Sequence, residues 1–416
     1  MNPEASQLWR APRWALAILL AALATVGPFS IDTYIPAFAG IAQALDATPI
    51  EMQQTLSGYL LGFAVMNLFH GALSDSFGRR PVVLWGMAVF ALSSMGCALA
   101  GSIGQLVFWR TVQGLSAGAG VVVSRAIIRD MFPPSEAQRV MSQVTIFFGL
   151  APAIAPMIGG FLYVHADWHA IFWFLVFIGA LLFAVTWRLM PETLHRDHRQ
   201  PFRVGSLMRG YRSLVGSRRF LLLALASGIP FNGMFLYVLA APVFLGEHLG
   251  LAPTQFFIFF LFSIGGIMGG AWLSGRLAGK IAPRKQIRRG FLIMGFTSIA
   301  NVVCNLTLPH SPYWAFPLIS SFAFGWALMV PVVTLLVLDQ APERRGMASS
   351  LQACIGSAAN GLVAGVLVPL VMHSMLALAV TSAAMMCIGL AAWTWVKREV
   401  SAAAAVPPTP TPGPEA

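Results

Sequence analysis

Apolar stretches about as long as a lipid bilayer is thick follow one another along the whole chain. A spanning helix needs about 20 apolar residues, and twelve such stretches can be counted in the 416 residues. Only 10% of the residues are charged, whereas a soluble domain carries about 25%. The sequence therefore predicts an all-α membrane protein with twelve transmembrane helices, at about residues 14–36, 52–72, 81–100, 104–127, 140–163, 168–190, 220–245, 254–278, 290–308, 313–338, 347–371 and 375–396.

Lysine and arginine lie on one side of this predicted arrangement. Of the 26 basic residues, only Arg110 falls in the outer half. Because cytoplasmic loops collect positive charge, both termini are predicted to be cytoplasmic. The net charge of +11 then belongs to a face turned toward anionic lipid, and no nucleic-acid partner is expected. The outer loops without lysine or arginine are about 37–51, 101–103, 164–167, 246–253, 309–312 and 372–374.

A long polar segment divides the twelve stretches into six and six. A weak internal repeat supports two halves, because Leu73-Ser74-Asp75 returns 200 residues later as Leu273-Ser274-Gly275. The polar segment is either a solvated connection or an arginine-rich regulatory or lipid-binding element. The predicted units are an N-terminal six-helix bundle at 1–190, a cytoplasmic linker at 191–219, a C-terminal six-helix bundle at 220–397 and a disordered cytoplasmic tail at 398–416.

A charged turn between the second and third stretches is the most specific motif. It reads Gly71-Ala72-Leu73-Ser74-Asp75-Ser76-Phe77-Gly78-Arg79-Arg80-Pro81. Glycines allow the chain to turn tightly, and the arginines hold that end in the cytoplasm. We expect Asp75 to accept hydrogen bonds from a neighbouring helix N-terminus and to pair with an inner arginine such as Arg129. A purely topological role for the turn is the alternative.

An acidic residue lies within the first apolar stretch, in Pro28-Phe29-Ser30-Ile31-Asp32-Thr33-Tyr34-Ile35-Pro36. A carboxylate in a spanning helix is costly and normally faces a cavity or a partner. At about 1.5 Å per residue, Asp32 lies about 27 Å from Trp14 and so in the outer half. The position predicts a proton carrier, with a hydrated carboxylate at the outer interface as the alternative.

An arginine lies at a similar depth in the fourth helix, about 9 Å from its outer end. It opens the sequence Arg110-Thr111-Val112-Gln113-Gly114-Leu115-Ser116-Ala117-Gly118-Ala119-Gly120, whose small residues let another helix approach closely. Opposite charges at one depth predict an ion pair between Asp32 and Arg110. A static pair without a role in transport is the alternative.

The fifth helix contains Gly149-Leu150-Ala151-Pro152-Ala153-Ile154-Ala155-Pro156-Met157-Ile158-Gly159-Gly160. Two prolines four residues apart remove backbone hydrogen bonds on one face and bend the helix. Glycines of the eighth helix are expected to offer it a smooth partner face, although glycine pairs are also ordinary packing. These glycines are Gly265, Gly266, Gly269 and Gly270.

Polar and aromatic residues within the predicted helices are candidates for substrate binding. Asn232 and Tyr237 lie beside Phe231, Met234 and Phe235 in helix 7, and such residues suit loosely specified apolar ligands. Ordinary packing in the membrane is the alternative for this group, and helix–helix hydrogen bonds are the expectation for Asn67, Asn301, Asn305 and Asn360. The candidate substrate-binding residues are Asp32, Tyr34, Gln113, Asn232, Phe235 and Tyr237.

Motifs of other classes of protein are missing from the sequence. It contains no phosphate-binding loop and no His/Glu metal pattern, and its match to Gly-x-Ser-x-Gly, Gly114-Leu115-Ser116-Ala117-Gly118, falls inside a predicted membrane helix and not at the strand-to-helix turn of a nucleophile elbow. We therefore expect no ATP motor, no metal, no cofactor and no enzymatic activity. The four cysteines all fall in apolar runs, and no disulfide is expected.

Taken in order, the charged turn and the motifs of helices 4 and 5 resemble those of the major facilitator superfamily. The segment 32–36, together with Arg129-Asp130 and Pro191-Glu192-Thr193-Leu194, is most similar to the bicyclomycin/chloramphenicol-resistance (Bcr/CflA) branch of drug:proton antiporters. The resemblance implies a multidrug efflux transporter of the bacterial inner membrane. It would work by alternating access as a monomer, exchanging a small-molecule drug, expected to be a cationic or neutral amphiphile, for protons.

The resemblance also implies roles for the motifs. The implied roles are proton coupling for Asp32 and Arg110, an inner gate for Gly71, Asp75, Gly78, Arg79, Arg80 and Arg129, and an antiporter motif for Gly149, Pro152, Pro156, Gly159 and Gly160.

Two other functions remain open, because a fold does not specify a substrate. One is an exporter or importer of a metabolite such as an amino acid or sugar, and the other is a non-transporting membrane receptor or enzyme.

Overall fold

Helices form almost the whole molecule. The computed structural model describes residues 13–200, 202–251 and 255–404, and this part contains no β-strand. Twelve long helices follow one another along the chain. They are α1 Arg13–Asp32, α2 Pro49–Phe77, α3 Arg79–Ala98, α4 Ile103–Met131, α5 Pro134–His165, α6 Trp168–Leu189, α7 Arg218–Leu239, α8 Phe256–Leu277, α9 Pro283–Thr307, α10 Pro312–Leu338, α11 Arg345–Leu362 and α12 Met375–Ala404.

The helices have the length and hydropathy needed to cross a membrane. Eleven described spans meet both conditions, and the two segments of α5, Pro134–Ala151 and Ile154–His165, add a twelfth. The prediction of twelve spanning helices is therefore confirmed. The two segments of α5 meet at 41°, at the position of Pro152, where proline interrupts the hydrogen bonding of a helix.

The helices extend beyond the apolar runs that predicted them. α2 continues to Phe77, so the predicted charged turn shrinks to the single residue Gly78, whose φ of 106° favours glycine. α4 continues to Met131 rather than stopping near residue 127. Charged residues at these ends remain helical because they have partners in the folded protein, described below.

The two ends of the chain depart from the predicted boundaries. α1 stops at Asp32, and the short helices Ile35–Ala37 and Phe38–Ala44 continue toward the second span. At the other end, α12 runs to Ala404 and so enters the segment predicted to be a disordered tail. The rest of that tail, residues 405–416, lies outside the described residues, as do residues 1–12.

The helices pack as two six-helix bundles, α1–α6 and α7–α12. Within the first bundle α2 and α3 pack on α4, and within the second α8 and α9 pack on α10. The bundles meet where α2 packs on α11 and where α5 packs on α8. We call the end of the molecule with Gly78, Arg129 and Arg345 the basic end, and the opposite end the neutral end.

The linker between the bundles is packed against the basic end. Its helix Val204–Gly216 places the Tyr211 hydroxyl on the Leu68 carbonyl oxygen, to which it donates a hydrogen bond. The Glu192 carboxylate accepts hydrogen bonds from the backbone N–H groups of Arg79 (2.9 Å) and Arg80 (3.3 Å) at the start of α3. The segment predicted as a solvated connection is therefore partly an ordered element of the fold.

Close helix crossings depend on individual glycines, and one of them gives a test. A Cβ atom on Gly114 of α4 would overlap the Tyr59 carbonyl of α2. Gly114→Ala should therefore destabilise the protein by about 1–3 kcal/mol, the usual cost of overpacking. The measurement is the thermal unfolding midpoint of the detergent-purified protein.

Gly104→Ala is the matched control for this variant. Gly104 lies on the same helix and has open space where a Cβ would stand. Its unfolding midpoint should not fall, because alanine is the better helix former. Equal midpoints for the two variants would contradict the described packing of α2 on α4.

Candidate functional site

A cavity of about 270 Å³ lies between the two bundles. Helices α1, α2, α4 and α5 line one side, and α7, α10 and α11 line the other. Aromatic and polar side chains share its surface, as is usual for sites that bind small molecules. The lining includes Phe63, Phe148, Phe231 and Trp326, and the polar Asn67, Arg125, Ser227, Thr334, Gln352, Ser357 and Asn360.

The basic end of the cavity is closed by a contact between α2 and α11. Gly71 and Gly346 lie so close that a Cβ on either would overlap the carbonyl oxygen of the other. The Gly71 N–H donates to Ser350 Oγ at 2.9 Å. The Asp75 carboxylate accepts hydrogen bonds from the N–H groups of Gly346 (3.1 Å) and Met347 (2.9 Å) in the first turn of α11. A carboxylate is favoured there because helix N-termini carry free N–H groups and partial positive charge.

Buried charges extend this contact. The Arg79 side chain is 1% exposed, and its Nη1 lies 2.5 Å from Asp75 Oδ1. Its Nε donates to Asp130 Oδ2 at 3.1 Å, and Asp130 Oδ1 accepts from Arg345 Nη1 at 2.7 Å. The chain of charges thus crosses from one bundle to the other. We call Gly71, Asp75, Arg79, Asp130, Arg345 and Gly346 the gate cluster.

The predicted pairing of Asp75 with Arg129 is wrong. Arg79 takes the Asp75 carboxylate because it follows directly after the Gly78 turn, and Arg129 Nε instead donates to Asp339 Oδ1 at 2.5 Å. That second pair also joins the bundles. Arg80 stays within the first bundle, where its Nη2 donates to the Trp187 carbonyl oxygen at 2.6 Å.

The contact between α5 and α8 uses amides and a hydroxyl instead of charges. Gln138 Nε2 donates to the Ser274 carbonyl oxygen and to Gln286 Oε1, both at 2.9 Å. Gln286 Nε2 in turn donates to Ser274 Oγ at 2.8 Å. All three residues are buried. We call Gln138, Ser274 and Gln286 the amide cluster.

The helix-5 motif does contact helix 8, but not through the glycines that the sequence suggested. Gly266 and Gly270 face the backbone of α10, at the carbonyls of Ser320 and Phe324. In the motif itself, Gly149 packs on Ile267 of α8, Gly159 lies against the Thr33 carbonyl and Gly160 lies near Pro36. Gly266 and Gly270 therefore serve packing within the second bundle, whereas Ile267 and Ser274 of α8 contact α5.

Arg110 is fully buried, and its guanidinium lies between two tyrosine rings. Its Cζ is 4.6 Å from the ring centre of Tyr34 and 4.5 Å from that of Tyr59. Its Nη1 also donates to Gln113 Oε1 at 2.5 Å. Ring faces carry partial negative charge, so these groups stabilise the arginine without a carboxylate.

Asp32 is the last residue of α1, and the predicted ion pair with Arg110 is wrong. The Arg110 Nη1 donates a hydrogen bond to the Ser30 carbonyl oxygen of α1 at 3.4 Å. The Asp32 side chain has neither a hydrogen bond nor an ion pair in the described part of the chain. Pro28 lines the cavity. Asp32 follows it by four residues, which places it one turn nearer the neutral end on the same helix face.

The predicted substrate-binding residues do not line the cavity in this structure. The Tyr34 hydroxyl is bonded to Thr55 Oγ1 at 2.7 Å, and the Tyr237 hydroxyl accepts from Asn301 Nδ2 at 2.8 Å. Phe235 comes nearest, since it stacks on the lining residue Phe231 at 5.2 Å between ring centres. The lining contains none of the six, which are Asp32, Tyr34, Gln113, Asn232, Phe235 and Tyr237.

Arg125 is the residue of the cavity that sequence reasoning missed. The fourth apolar stretch ends near residue 127, which placed Arg125 at the cytoplasmic end of the helix. Because α4 continues to Met131, Arg125 lies inside the helix and lines the cavity. The usable signal was Arg129, whose partner Asp339, directly after α10, lets α4 extend past the apolar run.

Comparison with known proteins points to one family. The sequence profile of the Major Facilitator Superfamily matches residues 14–365. The chain is 32% identical over 361 residues to the bicyclomycin resistance protein homolog of Haemophilus influenzae, covering 84% of this chain and 88% of that protein. It is 29% identical over 359 residues to multidrug resistance protein D of Escherichia coli, covering 84% and 87%. The solved structure of the proton:xylose symporter XylE is similar in fold, with a TM-score of 0.71 at 14% identity over 94% of this chain and 97% of that one.

The gate cluster gives a test of what closes the basic end. Asp75→Asn should open this end, because an amide replaces the charge that Arg79 and the α11 N–H groups stabilise. The measurement uses a cysteine-free protein with Ser227→Cys, a cavity position, and a membrane-impermeant thiol reagent applied from the basic side. We expect labelling to accelerate at least about tenfold, in line with about 1.5–3 kcal/mol for a hydrogen bond to a charged group.

Asp197→Asn is the control, since the Asp197 side chain is 82% exposed in the linker. It should leave the labelling rate unchanged. If Asp75→Asn labelled no faster than this control, Asp75 would have no part in the closure.

Proposed function

Because this chain belongs to the Major Facilitator Superfamily, we propose that it is a proton-coupled multidrug efflux transporter. It works by alternating access as a monomer of a bacterial inner membrane, with both termini cytoplasmic. The proposal includes neither a cofactor nor an enzymatic step. Drug substrates are supported by the names of the bicyclomycin and multidrug resistance relatives, and the orientation is supported by the concentration of arginine at one end.

The observation that carries the proposal is a cavity between two bundles that is closed at the basic end. Alternating access needs a central site and a seal that forms on one side at a time. The gate cluster has the properties of such a seal, because it joins the two bundles by a small number of hydrogen bonds and ion pairs. The closed basic end corresponds to the state from which a drug leaves.

Asp32 is the proposed site of proton binding. Its carboxylate lies one turn beyond the cavity toward the neutral end and is half-buried. An acid in this place can bind a proton from outside when the basic end is closed. Arg110 is proposed to influence that step through its positive charge and by holding α1 against α4 at Ser30. Proton binding at Asp32 and drug binding in the cavity would then favour opposite states of the transporter.

Asp32→Asn should abolish efflux driven by a pH gradient, because an amide cannot carry a proton. The measurement is flux of bicyclomycin and of a panel of fluorescent amphiphiles in vesicles containing the purified protein, with and without the gradient. Gradient-driven flux should fall to the level of protein-free vesicles. The free energy of unfolding should change by no more than about 0.5 kcal/mol, as is usual for a substitution that removes no packing or hydrogen bond.

Asp46→Asn is a matched control. It makes the same chemical change in an exposed loop at the neutral end, and asparagine tolerates the positive φ of 48° found there. Its flux should equal that of the unaltered protein. Undiminished gradient-driven flux in Asp32→Asn would remove Asp32 from proton coupling, and flux of no panel member would refute multidrug efflux.

A further inference from the structure

The cavity contains charge of only one sign. Arg125 lines it, whereas the lining described includes no aspartate or glutamate. The Arg125 side chain has no hydrogen bond or ion pair with the described residues. A guanidinium within a membrane helix is costly unless an anion or a hydrogen-bond acceptor reaches it.

Four other arginines of the helices each have at least one partner within the protein, which distinguishes Arg125. Arg79 binds two carboxylates, and Arg110 has two tyrosine rings and the Gln113 oxygen. Arg129 and Arg345 each have an aspartate. The missing partner of Arg125 is therefore best supplied by whatever enters the cavity.

Two amide side chains of the lining also have an unused oxygen. Asn67 Oδ1 on α2 and Gln352 Oε1 on α11 are buried and have no hydrogen-bond partner. Gln352 is held in place because its Nε2 donates to Ser227 Oγ at 3.0 Å. Both oxygens are packed inside the protein, with Asn67 Oδ1 against Gly118 of α4, so they are not accessible to a ligand in the cavity. The two side chains shape its wall.

Aromatic side chains complete the site. Phe231 packs on Trp326 with 4.8 Å between ring centres, and both line the cavity. Trp326 is fixed by a hydrogen bond from its Nε1 to the Ser227 carbonyl oxygen at 3.0 Å. A rigid pair of rings of this kind suits the apolar body of a ligand.

We propose that the cavity binds amphiphiles whose head carries a carboxylate or a similar anionic group, with Arg125 as its partner. The aromatic or aliphatic body packs on Phe231 and Trp326. The inference rests on the proposed function in taking this cavity as the substrate site. It replaces the cationic or neutral substrate expected from the sequence.

The position of Arg125 keeps the anion apart from the proposed proton site. Arg125 lies about 9 Å from the basic end of α4, whereas Asp32 lies about 28 Å from the basic end of α1. The two sites are thus about 20 Å apart along the molecule, so an anion bound at Arg125 does not contact Asp32. The exchange of anion and proton would be coupled through the gate.

Three matched ligands test the proposal on the purified full-length protein in lipid nanodiscs. 2-Naphthoate, 2-naphthamide and (2-naphthylmethyl)trimethylammonium share one aromatic body and differ in the head. Isothermal titration calorimetry should show naphthoate binding about tenfold tighter or more than the other two, the gain typical of a hydrogen bond to a charged group. Arg125→Gln should lower naphthoate affinity to that of naphthamide, and Arg125→Lys should retain part of the preference.

Arg289→Gln is the control, because Arg289 is exposed on α9 and outside the lining. It should keep the naphthoate preference. Unchanged naphthamide binding by Arg125→Gln would show that this variant is folded. The proposal is overturned if the ammonium compound binds as tightly as naphthoate, if naphthoate does not bind, or if Arg125→Gln keeps the original order. These titrations need no gradient, so a failure of efflux with the binding order intact would refute the proposed function alone.

Discussion

The hydrogen bonds between the Asp75 carboxylate and the first turn of α11 are the interaction on which the rest of the arrangement depends. They bring α2 against α11 closely enough that only glycine fits at positions 71 and 346. This contact closes the cavity at the basic end. Asp75 can be buried there because Arg79 and two backbone N–H groups together supply what water would otherwise provide. Removing any of these donors leaves a buried charge unsatisfied, which is why the seal is sensitive to small changes.

The two contacts between the bundles are built from different chemistry at related places. Asp75 and Gly275 are corresponding positions of the internal repeat, and the acidic residue occurs in the first copy alone. Where the second copy lacks the charge, Gln138 and Gln286 meet the neighbouring Ser274. The charged contact changes with protonation and salt, whereas the amide cluster does not titrate. One interface can therefore respond to conditions while the other holds the bundles in register.

Much of the fold could be predicted, because hydropathy determines the number of spans. The ends of the helices could not. α2 and α4 continue past their apolar runs since Asp75, Arg79 and Arg129 find partners as distant in sequence as Met347 and Asp339, and a linear pattern does not show such pairs.

The site was harder to predict than the fold for two physical reasons. Sequence reasoning matched charge with charge and so joined Asp32 to Arg110, whereas the structure uses the faces of Tyr34 and Tyr59. The residues that line a cavity also depend on how far each helix is rotated about its axis, which depends on packing against several neighbours. Arg125 was assigned to a cytoplasmic helix end for another reason: its apolar run stops near residue 127, whereas α4 continues to Met131.

An unbalanced arginine in the cavity has a consequence for the energy source of the cycle. Export of a monoanion in exchange for one proton would move two elementary charges across the membrane. Each is worth about 2.3 kcal/mol at 100 mV. The membrane voltage, negative inside, would then drive the exchange even where internal and external pH are equal. A carrier of this kind would be electrogenic, and it would keep working in alkaline surroundings where a chemical proton gradient alone fails.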